Sequence, residues 1–477
     1  MDSKKQTRIE SDLLGEKEIP VDKLYGVQTL RGIENFRISN FHLSDYPYFI
    51  NGLAYTKWGA AEANYELGLL TQEQYTAIVQ ACQEILKGQH HDHFAVDMIQ
   101  GGAGTTTNMC ANEIICNRGL QIMGHESGEF QYMQPNDHVN CSQSTNDAYP
   151  TAIHLGLYPT YQDVRSHLQQ LIDALRTKSE QFAHVLKMGR TQLQDAVPMT
   201  LGQTFGGFAS ILEDELANLE YAANDFLTIN MGATAIGTGI CAEPGYAEKC
   251  TAAIAKITGW DVKLCADLVG ATSDTSCMIG YSSALRRIAV KINKIANDIR
   301  LISCGPRCGL SEIEIPAMQP GSSIMPGKIN PVIPEVVSQV CYKVMGNDLC
   351  VTMAGDAAQM ELNAMEPVMA QCCFESSALL INAMDTFRIL CIDGIKANEE
   401  RCRSYIQNSI GIVTALNPVI GYKNSTKIAK EALETGKGVY DLILEHGILS
   451  KEDLDLILSP ENMIKPVKLN IKPKKLL

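Results

Sequence analysis

Three long stretches of regularly spaced apolar residues constrain the fold of this chain more than any other feature. In each, large apolar side chains recur mostly at intervals of three or four residues, which is the spacing of one helix face. The stretches run from Tyr161 to Leu186, from Phe205 to Phe226 and from Leu285 to Ile302. Each spans roughly 27 Å or more at 1.5 Å per residue. Helices this long need partners along their whole length, so the sequence predicts a mainly all-α fold with an elongated central bundle.

The segments around the long helices differ in character and suggest three domains. Residues 1–145 form an N-terminal mixed, mainly helical domain, in which Thr71 has the position of a helix N-cap. Residues 146–400 contain the long helices, and residues 401–477 form a small C-terminal helical domain with a lysine-rich tail. Because one chain leaves helix faces uncovered, we expect an oligomer.

Composition excludes several classes of partner. The 477 residues carry 40 Lys and Arg against 54 Asp and Glu, a formal net charge of −14 that argues against nucleic acid and anionic membranes. No segment approaches the ~20 apolar residues that span a bilayer, and no apolar run follows the basic start, so we expect a cytoplasmic protein. The 16 cysteines are expected to be free, and Cys304 and Cys308 lack a second pair at zinc-site spacing. Gly237–Ala242 fits the dinucleotide fingerprint G-x-G-x-x-A, but a helical pattern precedes it, and no Walker loop or zincin motif occurs. We therefore predict no cofactor-binding site and no catalytic metal.

Four loops rich in hydroxyl and amide side chains lie between the helical patterns. Three of them contain Thr105, the run Ser144-Thr145-Asn146 and the pair Thr191-Gln192. The fourth is the Gly- and Pro-rich stretch Gly321–Glu335, which contains Ser322, Ser323, Lys328 and Asn330. The long helices can bring such loops together, and this combination indicates chemistry.

Each loop taken alone also has a structural interpretation. Thr107 could be the N-cap of the helix after Thr105, and Ser144-Thr145-Asn146 could cap the next helix. Thr191-Gln192-Leu193-Gln194 satisfies a helix capping box. Gly321–Glu335 could be an ordinary surface loop ahead of a helix whose first turn contains Pro334 and Glu335.

The Gly321–Glu335 stretch also carries a family resemblance. Its pattern Gly-Ser-Ser-x-Met-Pro-x-Lys-x-Asn-Pro resembles the signature of the fumarase/aspartase superfamily of lyases. Ile329 and the run Val332-Ile333-Pro334-Glu335 are most similar to the version found in bacterial aspartate ammonia-lyases. The resemblance covers nearly the whole chain, and it implies three helical domains and a homotetramer with a tetrameric helical core. Each active site would then take loops from three subunits.

The activity that the resemblance implies is the reversible deamination of L-aspartate to fumarate and ammonia. A base removes a proton from the β-carbon, and closely placed donors stabilise the resulting carbanion as an aci-carboxylate. Hydroxyl groups and helix N-terminal N–H groups do this without adding net charge. The chemistry requires no cofactor, and by the same resemblance a divalent cation such as Mg²⁺ would be an activator.

The resemblance also assigns residue roles, position by position. Ser322 would be the general base, with its alkoxide stabilised by loop N–H groups and nearby positive charge. The residues assigned to the β-carboxylate and its aci form are Thr105, Ser144, Thr145 and Ser323. Those assigned to the α-carboxylate are Lys328 and Asn330. Those assigned to the amino group are Thr191 and Asn146, with Gln192 beside them.

Two alternatives stay open. The first is class II fumarate hydratase, which uses water in place of ammonia. Fumarases usually carry His at the position of Gln192 and a polar stretch in place of Val332–Glu335, but some aspartases also carry that His. The second alternative is a non-catalytic structural relative, as in lens proteins recruited from these lyases. The presence of Ser322, Lys328 and the Ser144-Thr145-Asn146 run argues against this second alternative.

Overall fold

Helices account for most of the chain in the computed structural model, which describes residues 6–476. The helices are α1 (Val27–Asn35), α2 (Pro47–Glu66), α3 (Gln72–Leu86), α4 (Thr105–Ile122), α5 (Thr145–Gln181), α6 (Leu201–Asn224), α7 (Thr234–Gly237), α8 (Tyr246–Thr258), α9 (Leu268–Ala271), α10 (Ser276–Ile302), α11 (Val332–Asp356), α12 (Glu366–Leu390), α13 (Glu399–Asn408), α14 (Asn417–Ile420), α15 (Tyr422–Thr435), α16 (Val439–Glu445), α17 (Lys451–Ile457) and α18 (Pro460–Met463). A single π-helical turn, Pro135–Val139, precedes α5.

Short strands within residues 6–476 pair into four two-stranded sheets. The antiparallel pairs are β1 (Thr7–Asp12) with β2 (Gly15–Pro20), β3 (Leu186–Thr191) with β4 (Gln194–Thr200), and β7 (Ile313–Glu314) with β8 (Lys396–Ala397). The parallel pair is β5 (Thr228–Ile229) with β6 (Lys263–Leu264).

The three predicted long helices are confirmed as α5, α6 and α10. In α10 the predicted apolar face is buried, and Leu285, Ile288 and Ile292 have no exposed surface. The first pattern was wrong at its end, because α5 stops at Gln181 and Leu186 begins β3. Apolar spacing alone did not separate the last helical turn from the strand that follows it.

Two further helix starts were predicted correctly. Thr71 is the N-cap of α3, and its hydroxyl accepts a hydrogen bond from the backbone N–H of Gln74. Helix α11 begins at Val332, which places Pro334 and Glu335 in its first turn. The mainly helical fold class is therefore confirmed.

Two compact units make up the chain. The first comprises Met1–Ser166, Glu215–Val290 and Val340–Ile381. The second comprises His167–Asp214, Lys291–Gln339 and Asn382–Leu477. Each boundary between them falls within one of the helices α5, α6, α10, α11 and α12. The three predicted domains, 1–145, 146–400 and 401–477, stay a prediction.

In the first unit, helices α2, α10, α11 and α12 are joined by ring packing and by buried hydrogen bonds. The rings of Phe49 and Phe374 stack with centroids 5.3 Å apart. The hydroxyl groups of Tyr281 and Ser377 lie 2.9 Å apart, and the neighbouring Ser282 donates to Asp348. These contacts link α2 to α12, α12 to α10 and α10 to α11.

The second unit has a separate apolar core around its C-terminal helices. It includes Leu416, Ile428, Leu442 and Leu454, all without exposed surface, and Met188 of β3 belongs to the same cluster. The β3–β4 hairpin is therefore packed onto this core, which leaves its tip as the exposed end.

All 16 cysteines are free thiols, and most of them are buried. The expectation of unpaired thiols is therefore confirmed. Within the described part of the chain, no helix is both long enough and apolar enough to cross a membrane.

Candidate active site

Helix α4 begins in the Thr105 loop, three residues earlier than the sequence suggested. Its N-cap is Gly104, and Thr105 is exposed, with its hydroxyl donating to the carbonyl of Gly102 at 2.8 Å. The prediction of Thr107 as N-cap was wrong. Thr107 is buried inside the helix, and its backbone N–H is capped instead by the side chain of Gln100.

Helix α5 begins in the Ser144-Thr145-Asn146 run, and here the capping interpretation is confirmed. The Ser144 hydroxyl oxygen accepts from the backbone N–H of Asn146 at 3.2 Å, and the Ser144 N–H donates to the Asp147 carboxylate at 2.9 Å. All three residues of the run are partly exposed. Their side chains thus surround the N-terminus of a long helix, where backbone N–H groups attract anions.

The N-termini of α4 and α5 lie side by side. Asn108, in the first turn of α4, donates from Nδ2 to the Thr145 hydroxyl oxygen at 3.3 Å. Gly104 approaches the ring of Tyr149 so closely that a Cβ atom at this position would lie 2.4 Å from it. With φ at +89°, Gly104 also has a backbone conformation that other residues rarely adopt. Two anion-attracting helix ends therefore converge on one place in the first unit.

A strained residue binds the start of α5 from the other side. Ala235 has φ +58° and ψ −93°, a conformation unfavourable for a residue with a Cβ atom. Its N–H donates to the Ser144 hydroxyl, and its carbonyl accepts from Asn146 Nδ2 at 2.6 Å. Such strain persists only where the surroundings enforce it, and it is concentrated at functional sites.

A buried lysine lies behind the two helix ends. Lys57 of α2 has no exposed surface, and its ammonium group donates to amide oxygens of Asn108 at 2.7 Å, Asn140 at 3.1 Å and Gln143 at 2.8 Å. Burial lowers the pKa of Lys57 to about 7, although the nearby Asp147 carboxylate acts in the opposite direction. Lys57 thus fixes Asn108, which in turn holds the Thr145 hydroxyl.

Asp147 completes this buried layer. One carboxylate oxygen accepts from the Ser144 N–H, and the other accepts from the Gly232 N–H at 2.9 Å. Burial raises the pKa of Asp147 to about 6, while these hydrogen bonds and Lys57 favour the ionised form. The carboxylate therefore ties the α5 N-terminus to the segment that leads into α7, the short helix that contains Ala235.

In the second unit, Thr191 and Gln192 form the tip of the β3–β4 hairpin. The predicted helix capping box at 191–194 was wrong, because Thr191 pairs with Gln194 across a two-residue turn. The turn residues Gln192 and Leu193 have φ of +52° and +62°. Two-residue hairpin turns favour such angles, but glycine or asparagine usually occupies them. The side chains of Gln192 and Leu193 are both exposed. Gln192 is therefore a strained residue whose side chain faces solvent.

Buried ion pairs hold the strand that leads to this tip. Glu312 has no exposed surface, and its carboxylate lies 2.9 Å from the ammonium group of Lys187 and also pairs with the guanidinium group of Arg190. Lys187 and Arg190 are both on β3. Two cations compensating one buried carboxylate fix the direction in which the hairpin leaves the unit.

The Gly321–Glu335 stretch is a loop up to Val332, as predicted. The Ser322 hydroxyl oxygen accepts hydrogen bonds from the backbone N–H groups of Ile324 at 3.2 Å and Met325 at 3.0 Å. These are the loop N–H donors that the resemblance implied for a serine base. At the base of the loop, the Gly321 N–H donates to the carbonyl of Lys328 at 2.7 Å.

The other residues of this loop have different surroundings. Asn330 donates from Nδ2 to the Gly321 carbonyl at 2.8 Å, so it helps to close the loop. A Cβ atom on Gly321 would lie 2.8 Å from the Asn330 backbone nitrogen, which explains the glycine. Ser323 and Lys328 are exposed. The loop thus presents one cation and two hydroxyl groups to solvent.

The ten predicted residues therefore form separate groups. Four lie in the first unit around the paired helix ends: Thr105, Ser144, Thr145 and Asn146. Six lie in the second unit: Thr191 and Gln192 at the hairpin tip, and Ser322, Ser323, Lys328 and Asn330 in the loop. Among the described residues, no hydrogen bond joins the hairpin tip to this loop.

Sequence reasoning missed the residues that support these groups. Lys57 lies in a helical pattern, where a polar residue is normally read as exposed. Asn108 was interpreted as the last residue of the small-residue loop around Thr105. Ala235 carries no polar side chain, and its strain is a property of the backbone. The polar character of the Asn136–Asp147 segment was a signal that could have pointed to Asn140 and Gln143.

The described residues include no cluster of the side chains that usually hold a metal ion. Within residues 6–476, no group of three or more His, Cys, Asp or Glu side chains could hold a metal ion. Mg²⁺ usually keeps several water ligands and takes only one or two carboxylates from a protein, so activation by this cation does not require such a cluster.

Comparison with known families matches most of the chain. Residues 15–346 match the lyase family, and residues 412–465 match the fumarase C C-terminus. Among curated relatives, the chain is 54% identical to the aspartate ammonia-lyase of Pseudomonas canavaninivorans, over 98% of both proteins. It is 50% identical to the aspartate ammonia-lyase of Escherichia coli K12, over 96% of both proteins.

Solved structures agree in fold. A fumarate lyase:delta crystallin from Brucella melitensis bound to cobalt is 50% identical, with a TM-score of 0.94 over 97% of this chain and 100% of the other. A class II fumarase from Schistosoma mansoni is 33% identical, with a TM-score of 0.91 over 96% of this chain and 99% of the other. These likenesses and the family matches agree with the motif in Gly321–Glu335. The chain belongs to the fumarase/aspartase superfamily of lyases.

Proposed function

We propose that this protein is a carbon–nitrogen lyase that catalyses the reversible deamination of L-aspartate to fumarate and ammonia. Aspartate ammonia-lyases at 50–54% identity over nearly the whole chain support this activity. The structural observation that carries it is the pair of converging helix N-termini, at Thr105 and Thr145, lined with neutral donors. The carboxylates of the substrate need hydrogen-bond donors of this kind. Because the donors are neutral, they do not repel the positively charged amino group of the substrate.

The hydrogen bonds already made by the hydroxyl groups at the start of α5 indicate how the β-carboxylate would be held. The Ser144 oxygen accepts two N–H groups and the Thr145 oxygen accepts one, so the hydroxyl hydrogen of each can point to the substrate. Thr105 would first have to release the Gly102 carbonyl. Ser323 would add a further hydroxyl donor. When charge develops on the carboxylate as the β-carbon is deprotonated, these donors stabilise the aci form.

Ser322 would take the β-carbon proton. A serine hydroxyl is normally a very weak acid, so the alkoxide must be stabilised by its surroundings. The two N–H groups that already point at its oxygen supply that stabilisation, because each donor strengthens as the oxygen becomes negative. The electron pair of the β-carbon then forms the carbon–carbon double bond as the carbon–nitrogen bond breaks, giving fumarate and ammonia.

The remaining residues would orient the substrate. Lys328 supplies the cation for the α-carboxylate, with Asn330 beside it. Asn146 donates from Nδ2 to Ala235, so its Oδ1 is the atom that can accept from the amino group. Thr191 and Gln192 would contact the same amino group from the exposed hairpin tip.

The proposed assembly is a homotetramer in which three subunits contribute to each active site. The separation of the ten residues into groups on both units supports this arrangement. Mixing two inactive variants tests it: co-expressed Ser322→Ala and Asn146→Ala chains should regain part of the native activity, because mixed tetramers contain some intact sites. A mixture as inactive as either variant alone, with mixed tetramers verified by mass spectrometry, would rule out shared sites.

The activity is tested by incubating the purified protein separately with L-aspartate and with L-malate and following fumarate absorbance. Fumarate from aspartate and not from malate is the expected result. Fumarate from malate alone would establish a fumarate hydratase. Fumarate from neither substrate would support the structural alternative.

Activation by Mg²⁺ and a cytoplasmic location are further parts of the proposal. The 16 free thiols support a reducing compartment. Metal activation rests on the resemblance, and comparing rates after EDTA treatment with rates after added Mg²⁺ tests it. Equal rates would remove the cation from the proposal.

A further inference from the structure

A cavity of about 500 Å³ lies in the first unit, apart from the residues assigned to substrate. Its walls include His154 of α5, Asp225, the segment from Gly270 to Met278 and Glu366, the first residue of α12. The volume suits a small organic molecule better than a single ion.

Every charged side chain that lines this cavity is acidic. The lining carboxyl groups belong to Asp225, Asp267, Asp274 and Glu366, and neither lysine nor arginine is among the described lining residues. His154 does not add a positive charge, because burial lowers its pKa to about 4 and its Nδ1–H donates to the carbonyl of Thr228. The cavity therefore has the electrostatic character of a cation site.

Glu366 is the feature that local structure does not explain. Only 4% of the residue is exposed, and no hydrogen bond or ion pair joins its carboxyl group to any residue in the described chain. Burial raises the pKa of Glu366 to about 8. A buried carboxyl group without partners costs free energy, and such groups normally find a donor or a cation.

The aspartates at the rim differ in this respect. Asp267 caps α9 through the N–H of Val269, and Asp274 accepts from Ser276. Asp225, Asp267 and Asp274 are exposed, so each can still face a ligand with its negative charge. Cys277 lines the same cavity, and its thiol pKa is raised first by burial and then by the nearby carboxyl groups of Asp274, Glu366 and Asp225. The buried carboxyl group and the rim carboxylates thus surround one space.

A metal ion does not fit this arrangement. Within residues 6–476 no three His, Cys, Asp or Glu side chains converge closely enough to hold one. One carboxyl group of the cavity, that of Glu366, is buried, and the aspartate carboxylates at the rim are exposed. This arrangement suits a ligand that carries a positive charge at each end. We propose that this cavity binds a linear organic diamine, with one ammonium group against Glu366 and the other against the rim carboxylates. The proposal does not depend on the activity proposed above.

Calorimetric titration of the purified protein with 1,4-diaminobutane tests the site. We expect saturable binding that weakens about tenfold or more in Glu366→Gln, which removes the charged partner and keeps its size, and also weakens in Asp274→Asn. The matched control is Asp261→Asn, an exposed carboxylate paired with Lys263 outside the cavity, and it should bind like the native protein. Circular dichroism of each variant verifies its fold.

Three further ligands test whether binding requires two positive charges. Butylamine and ammonium chloride carry one positive charge and should bind at least tenfold more weakly, while 1,4-butanediol should not bind. Equal binding of the diol, equal binding by Glu366→Gln, or no binding of the diamine at millimolar concentration would each overturn the proposal.

Proton release gives an independent readout. Because burial raises the pKa of Glu366 to about 8, we expect its carboxyl group to be mostly protonated at pH 7 and a bound ammonium group to drive its ionisation. Titrations at pH 7 in buffers of different ionisation enthalpy should show close to one proton released by the native protein and almost none by Glu366→Gln. Equal proton release by both proteins would contradict the assignment of Glu366.

Discussion

The ammonium group of Lys57 lies 2.7 Å from Oδ1 of Asn108, and the same Asn108 donates to the hydroxyl oxygen of Thr145. A buried cation thereby sets the orientation of a side chain that holds a proposed substrate ligand. Replacing Lys57 with Met leaves the amide oxygens of Asn108 and Gln143 without this donor, and each such loss costs about 1–3 kcal/mol.

We therefore expect Lys57→Met to lower the melting temperature and to raise KM for L-aspartate more than it lowers kcat. Steady-state kinetics and thermal unfolding measure both effects. Thr56→Val is the matched control, since Thr56 is equally buried but bonds only to its own helix at Gly52. A KM that is unchanged in Lys57→Met would exclude a positioning role.

The same lysine predicts a dependence of stability on pH. Burial makes Lys57 lose its proton near pH 7 in the folded protein, against 10.5 for an ordinary lysine. Between these values the unfolded chain binds more protons, so the free energy of unfolding should rise with pH. Relative to Lys57→Met, native stability should increase between pH 7 and 9 by up to about 1.4 kcal/mol per pH unit. Parallel curves from urea unfolding would contradict this.

Ser322→Ala should reduce kcat at least about 100-fold, because it removes the proposed base and leaves the N–H groups of Ile324 and Met325 without their acceptor. Fumarate formation from L-aspartate is the measurement. Ser323→Ala is the comparison in the same loop: it removes one of several donors to the aci form but keeps the base, so it should lower kcat less than Ser322→Ala does. The two variants should have native melting temperatures, since both residues lie outside the core.

Two substitutions at the hairpin tip distinguish the release of backbone strain from the loss of a substrate contact. Gln192→Gly and Leu193→Gly each relieve a positive φ, so both should be neutral or stabilising, by up to about 1 kcal/mol. Only Gln192→Gly removes a proposed substrate contact, and only this variant should raise KM for L-aspartate. Equal kinetics for the two variants would show that Gln192 does not contact the substrate.

Glu312→Gln tests the ion pairs beneath the same hairpin. The change leaves Lys187 and Arg190 without their shared buried anion, and the expected loss of stability is about 3–5 kcal/mol. Chemical unfolding gives the value. Glu314→Gln, two residues away and exposed, should change stability by less than about 0.5 kcal/mol.

The sequence predicted the central helices α5, α6 and α10 because each keeps an apolar face with the spacing of a helix. It failed at 191–194, where a capping box and a hairpin turn share the same side-chain pattern. The positive φ of Gln192 and Leu193 could not be predicted from the sequence, since neither residue is glycine or asparagine. Lys57 was invisible for another reason: its partners lie 51 to 86 residues away, and only the folded chain brings them together.

The buried thiols can report local unfolding of each unit, because they become reactive only when their surroundings open. Cys82 in the first unit and Cys402 in the second have no exposed surface, and burial raises the pKa of each thiol to about 12. Neither should react with an alkylating reagent while its surroundings stay folded, because the thiolate is the reactive form. Timed alkylation followed by peptide mass mapping would therefore reveal which unit exposes its interior first, without any engineered label.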